Sequence, residues 1–115
     1  MDVLLEARQA RFGKNQSLFR AVNEQVESLI GVRPAGSPVS FFCECANPDC
    51  GSQIDLSLAD YEAIRQYSTQ FFVLSDHVYP DVETVVDERG SFVIVDKFGA
   101  GGRVATESDA RRSYP

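Results

Sequence analysis

One histidine and three cysteines in 115 residues are the scarcities that exclude most. An odd cysteine count fits a disulfide framework poorly, and three thiols are one short of an iron–sulfur ligand set. With His77 as the sole imidazole, no Ser-His-Asp arrangement of any specificity stands out. No apolar run approaches the roughly 18 residues of a membrane span. The first residues carry acids at Asp2 and Glu6 and lack a signal-peptide core, so the expected location is the cytoplasm, where thiols stay reduced. There is no internal repeat, no Gly-Lys-Ser/Thr of a phosphate loop, and no H-x-E followed by P-C-x-x-C as in zinc deaminases.

Basic residues are also few where nucleic acid would need them. The chain has 11 bases against 17 acids, a formal charge of −6. Residues 44–97 hold eleven acids and only Arg65, Arg89 and Lys97 as bases, a balance of −8. Such a surface repels phosphate backbones. Single-stranded nucleic acid is therefore the weaker alternative, left to the mixed-charge N-terminus and Arg103, Arg111 and Arg112.

What is present divides the chain into an N-terminal helical arm (1–31), a Pro/Gly linker (32–38), an α+β core (39–98) and a flexible tail (99–115). In the arm, Phe19, Val22, Val26 and Leu29 recur at helical steps over residues 16–30, widened by Leu18 and Ile30. Gln16, Arg20, Asn23, Glu24 and Glu27 fall largely on other faces. The spacing predicts an amphipathic helix packed on the sheet, or else a homodimerisation or docking helix. Residues 2–12 form a weaker helix, either continuous with the next or broken at Gly13.

In the core, Val39–Phe42 reads as a strand, Ile54 and Leu56 alternate with polar residues, and Ser57 caps a helix that runs to about Tyr67. Phe71–Leu74 is an apolar strand. Val82–Asp87 and Phe92–Lys97 flank Glu88-Arg89-Gly90-Ser91 as a hairpin. The acids Asp81, Glu83, Asp87 and Glu88 among the valines read as a solvated sheet face. Glu62 and Arg65 have the spacing of a helical ion pair. The tail shows no apolar period, and Gly99-Ala100-Gly101-Gly102-Arg103 lacks the strand-to-helix context of a phosphate cradle.

All three cysteines sit in Phe41-Phe42-Cys43-Glu44-Cys45-Ala46-Asn47-Pro48-Asp49-Cys50. Zinc takes four soft or borderline ligands in a tetrahedron, and Cys3His is a common structural set. The short spacings converge thiolates without ordering a long loop, and Asn47-Pro48-Asp49 favours a tight turn. Cys43 and Cys45 leave one strand, Cys50 enters the next and His77 follows a third. The expectation is one structural zinc per chain on Cys43, Cys45, Cys50 and His77, with Asp49 or Asp76 able to replace His77. Four protein ligands leave no open position for catalysis. A redox switch is the competing use of the thiols.

These residues resemble a group of small uncharacterised actinobacterial proteins. The matching positions are Phe41, Cys43, Cys45, Cys50, Leu58, Tyr61, Glu62, Arg65, Phe71, Phe72, His77, Val95 and Lys97. That group carries Pro-Gly-His where this chain has Ser75-Asp76-His77. The resemblance implies the four ligands as a set and supplies no activity. The expected function is thus a non-catalytic zinc-binding module for protein interaction or regulation, with a protein partner.

Overall fold

The computed structural model describes residues 3–111. Three helices surround two small antiparallel sheets, an α+β arrangement. The first sheet is the hairpin of β1 (Pro38–Phe42) and β2 (Gln53–Ser57). Val39 lies opposite Leu56 and Phe41 opposite Ile54, and these four are buried while their neighbours face outward, the period-two pattern of a half-buried ribbon. The Ser57 hydroxyl then accepts the Asp60 N–H at 3.1 Å and caps α2 (Leu58–Arg65).

The second sheet contains β3 (Gln70–Leu74), β4 (Glu83–Glu88) and β5 (Phe92–Lys97), ordered β3-β5-β4. Phe71, Phe72 and Val73 are all buried. The β4–β5 hairpin closes with Arg89 N–H donating to Phe92 O, and Gly90 takes the φ of +80° that the turn requires. Phe41 stacks on Tyr61 at 4.3 Å, and Phe72 meets both rings edge-on. The two sheets meet through Glu44 N–H, which donates to Phe72 O at 3.0 Å.

The terminal regions depart from expectation. Residues Val3–Leu29 form one unbroken helix, α1, with Gly13 inside it. Its buried face is Gln9, Gly13, Gln16, Arg20 and Asn23, whereas Leu18, Val22 and Leu29 are 61%, 44% and 83% exposed. Only Val26 and Ile30 of the apolar stripe pack against the core. The polar face is inward because it answers backbone groups left open below it: Arg20 donates to the carbonyls of Ser68 and Ala105, with its guanidinium 4.6 Å above the Phe71 ring.

The segment expected as a flexible tail, 99–115, instead forms α3 (Gly99–Glu107); residues 112–115 lie outside the described residues. Its three glycines make it a poor helix former in isolation, but they let two helices approach closely. A Cβ at Gly13 would come within 2.8 Å of Gly101 O. Strand β5 thus does lead into a helix, contrary to the expectation for the glycine run. The helix start is filled from within the fold, since Ala100 N–H donates to Gln9 Oε1 at 3.3 Å.

Two charge assignments also change. Arg65 pairs with Asp109 at 2.7 Å and Glu24 at 3.1 Å rather than with Glu62. Glu62 instead meets Arg111, which also bonds Glu24 and Glu27. These contacts tie the segment after α3 to α1 and α2. Glu83, expected on a solvated face, is buried against Lys97 at 3.5 Å, both side chains fully inaccessible; the rest of β4 is exposed.

Candidate metal centre

The thiols occupy the loop joining β1 to β2. Extended backbone alternates its side chains, so Cys43 and Cys45 share one side and Glu44 lies on the other. Asn47 turns the chain twice over: its carbonyl accepts Cys50 N–H at 3.1 Å and its side-chain oxygen accepts Asp49 N–H at 3.0 Å. This Asx turn returns Cys50 towards the first two thiols. His77 arrives from the second sheet on the turn after β3, where His77 N–H donates to Leu74 O at 2.8 Å.

The four expected ligands come together. Their ligand atoms all lie within 4.8 Å of one another. His77 Nδ1 is 3.5 Å from Cys43 Sγ and 3.6 Å from Cys50 Sγ. A tetrahedral ion with metal–sulfur bonds of about 2.3 Å and a metal–nitrogen bond of about 2.0 Å separates sulfur from nitrogen by roughly 3.5 Å. The spacing therefore fits a shared ion. Neither Asp49 nor Asp76 belongs to the cluster. Asp76 Oδ1 stands 3.7 Å from His77 Nε2, the ring nitrogen not facing the sulfurs, and its side chain is 87% exposed, too far for a hydrogen bond that would orient the imidazole.

Cys43 and Cys45 are buried, while Cys50 and His77 are half-buried. Leu74 N–H points at Cys43 Sγ at 3.3 Å, a backbone donor suited to a thiolate. As free thiols, the hydrogen bond with Cys43 and smaller contributions from Asn47, Cys50 and His77 lower Cys45 to about 5, while that same bond and burial raise Cys43. A bound cation would favour deprotonation of all three thiols. Glu44 is fully buried, and desolvation lifts its carboxyl to about 7 against the opposing Asn23 hydrogen bond.

Helix α1 supplies the part of this site that the apolar pattern did not disclose. Asn15 Nδ2 donates to Ala46 O at 2.9 Å and Gln16 Nε2 to Glu44 O at 3.0 Å. Asn23 donates to Phe42 O at 2.9 Å, accepts Phe42 N–H at 2.8 Å and donates to Glu44 Oε2 at 2.9 Å. The signal was in the sequence as a second period: Gln9, Gly13, Gln16, Arg20 and Asn23 recur at helical steps as cleanly as the apolar stripe. Among the described residues no helix is long and apolar enough to cross a membrane. No protein-family model matches the chain, and comparison with curated proteins and with solved structures finds no match either.

Proposed function

We propose that this protein is a non-catalytic module held together by one structural zinc ion per chain. The observation that carries the reading is the convergence of three sulfurs and one imidazole nitrogen from two different sheets. Three thiolates with an imidazole suit zinc, which tolerates the tetrahedron without redox chemistry. Four protein ligands leave the ion no open position, which favours a structural over a catalytic role. Native mass spectrometry of protein purified without chelator tests this. The expected mass is one zinc heavier than the chain, with weaker retention in His77→Ala. A metal-free chain with three titratable thiols would overturn it and favour a thiol switch.

In this reading the module engages a protein partner through the outward face of α1. Asn15, Leu18, Phe19 and Val22, with Pro48 of the metal loop, line a depression of about 150 Å³, and Leu18 and Val22 on it are 61% and 44% exposed, apolar surface that a partner would cover. A second copy of the chain is the first partner to test. Because the inward face of α1 clamps the core, paired Leu18→Glu and Val22→Glu changes are a cleaner probe than deleting the arm. Sedimentation should show a wild-type dimer that the double variant dissociates; a monomer throughout would exclude the self-association form.

A further inference from the structure

Strand β1 pairs with β2. Beyond it, the carbonyls of Phe42, Glu44 and Ala46 are met by side chains of α1 instead of by another strand. Asn23 bonds both the N–H and the carbonyl of Phe42, the two-point pairing that an adjoining strand would provide. These contacts bracket both cysteines of Cys43-Glu44-Cys45. They also engage the residue between them twice, at the Glu44 carbonyl and at its carboxylate.

We infer that Asn15, Gln16 and Asn23 brace the ligand loop of the metal centre, bonding the residues on either side of its cysteines rather than the ligands themselves, an inference that rests on the zinc reading above. They are positioning residues. Their amides hold residues 42–46 extended so that Cys43 and Cys45 present both sulfurs on the side away from the helix. Without the clamp, the loop must be ordered at the moment of binding, and that entropy weakens metal affinity. Loss of a partner that orients a metal ligand typically lowers metal affinity about 10- to 100-fold, and this brace orients two ligands through the backbone between them. Linkage makes the effect reciprocal: the ion strengthens the docking of this helix by the same factor. Metal occupancy would then be felt on α1, the element whose outer face carries Leu18 and Val22.

The test measures zinc transfer from Asn23→Ala to a chromophoric chelator, alongside the thiolate charge-transfer and ligand-field bands of the cobalt(II)-loaded form. Arg20→Met is the control. Arg20 is equally buried on the same face but bonds Ser68 and Ala105. The expected result is zinc affinity about 10- to 100-fold weaker in Asn23→Ala, with altered cobalt bands, while Arg20→Met lowers the melting temperature and leaves both metal readouts at wild-type values. Wild-type affinity and bands in Asn23→Ala would overturn the inference, as would an equal loss in Arg20→Met, which would mark general loosening. Should Asn23→Ala fail to fold, the same comparison on Asn15→Ala decides, since that change spares the Phe42 clamp. A wild-type chain without zinc would instead overturn the underlying reading.

Discussion

On the zinc reading proposed above, removing the metal, or replacing Cys43 with serine, is expected to unfold this protein near physiological temperature. Cys43 is the most deeply committed of the four candidate ligands. It is fully buried, lies beside the point where the two sheets join, and receives the Leu74 N–H as well as facing His77. Serine offers a harder oxygen that does not ionise at neutral pH, so the set falls to three ligands. Structural zinc contributes an apparent ~10–16 kcal/mol in zinc-finger peptides, whereas whole domains are stable by only about 5–15 kcal/mol. Even a fraction of the metal term is comparable with the total. Thermal melts with and without chelator check this, and the expected fall exceeds about 15 °C, using ~4 °C per kcal/mol for a chain of this length. A metal-free melt within a few degrees of the zinc form would show that the ion is not structural. The physical reason for so large an effect is topological. Three candidate ligands belong to the β1–β2 loop and one to the turn after β3, so an ion there ties the two sheets together, and losing it leaves them joined by the Glu44–Phe72 hydrogen bond, the Leu74 N–H to Cys43 Sγ contact and the packing of Phe41 on Phe72.

The second large effect is electrostatic. Glu83→Ala should cost about 3–5 kcal/mol, the usual penalty for leaving a buried charge without its partner. Lys97 and Glu83 have no exposed side-chain surface and are 3.5 Å apart. Glu83 also accepts hydrogen bonds from Gln16 Nε2 and Tyr79 N–H, each at 3.0 Å. Burial already lowers the Lys97 pKa, with the Glu83 carboxylate holding it up. Without that carboxylate it falls further, and the unfolded chain then binds more protons than the folded one. Stability of the variant should therefore rise with pH, the deficit narrowing as pH approaches the ordinary lysine value of about 10.4. Chemical denaturation at several pH values measures both size and slope. Lys97→Met with Glu83→Gln should be less destabilised than Glu83→Ala, because the pair is then removed while an acceptor for Tyr79 N–H is kept. A double variant as weak as the single one would mean that shape, and not the uncompensated charge, sets the cost.

Both effects trace to positions that differed in legibility. The cluster of candidate ligands was readable because metal chemistry restricts residue type and spacing, and Cys43, Cys45, Cys50 and His77, which the structure brings together, leave few alternatives. The strands of both hairpins were readable because local alternation and turn chemistry dictate them: Ser57 caps α2 and Gly90 turns β4 into β5 as their residue types predict. Glu83 was not. An acid beside valines in an exposed strand has the same local pattern whether it meets water or a buried lysine, and the partner lies 14 residues away on the neighbouring strand.

The helices show the same division. Periodicity alone marked residues 16–29 as helical, and it pointed to the apolar stripe as the packed face, whereas the structure buries the polar face. The inward face depended on what lay beneath: open carbonyls at Phe42, Glu44 and Ala46 and further carbonyls at Ser68 and Ala105, all supplied by distant parts of the chain. A buried carbonyl without a donor costs more than an exposed valine, so the polar face turned inward. Likewise, Gly99–Glu107 has no local reason to be a helix; it is one because Gly13 and Gly101 allow α1 and α3 into backbone contact. Sequence by itself marked the Cys43, Cys45, Cys50 and His77 cluster, the strands and the existence of the first two helices, all matters of local chemistry. Only the tertiary structure decided which face of α1 is buried, that residues 99–107 fold, and where Glu83 and Arg65 find their partners, because each depends on groups that meet only when the chain has closed.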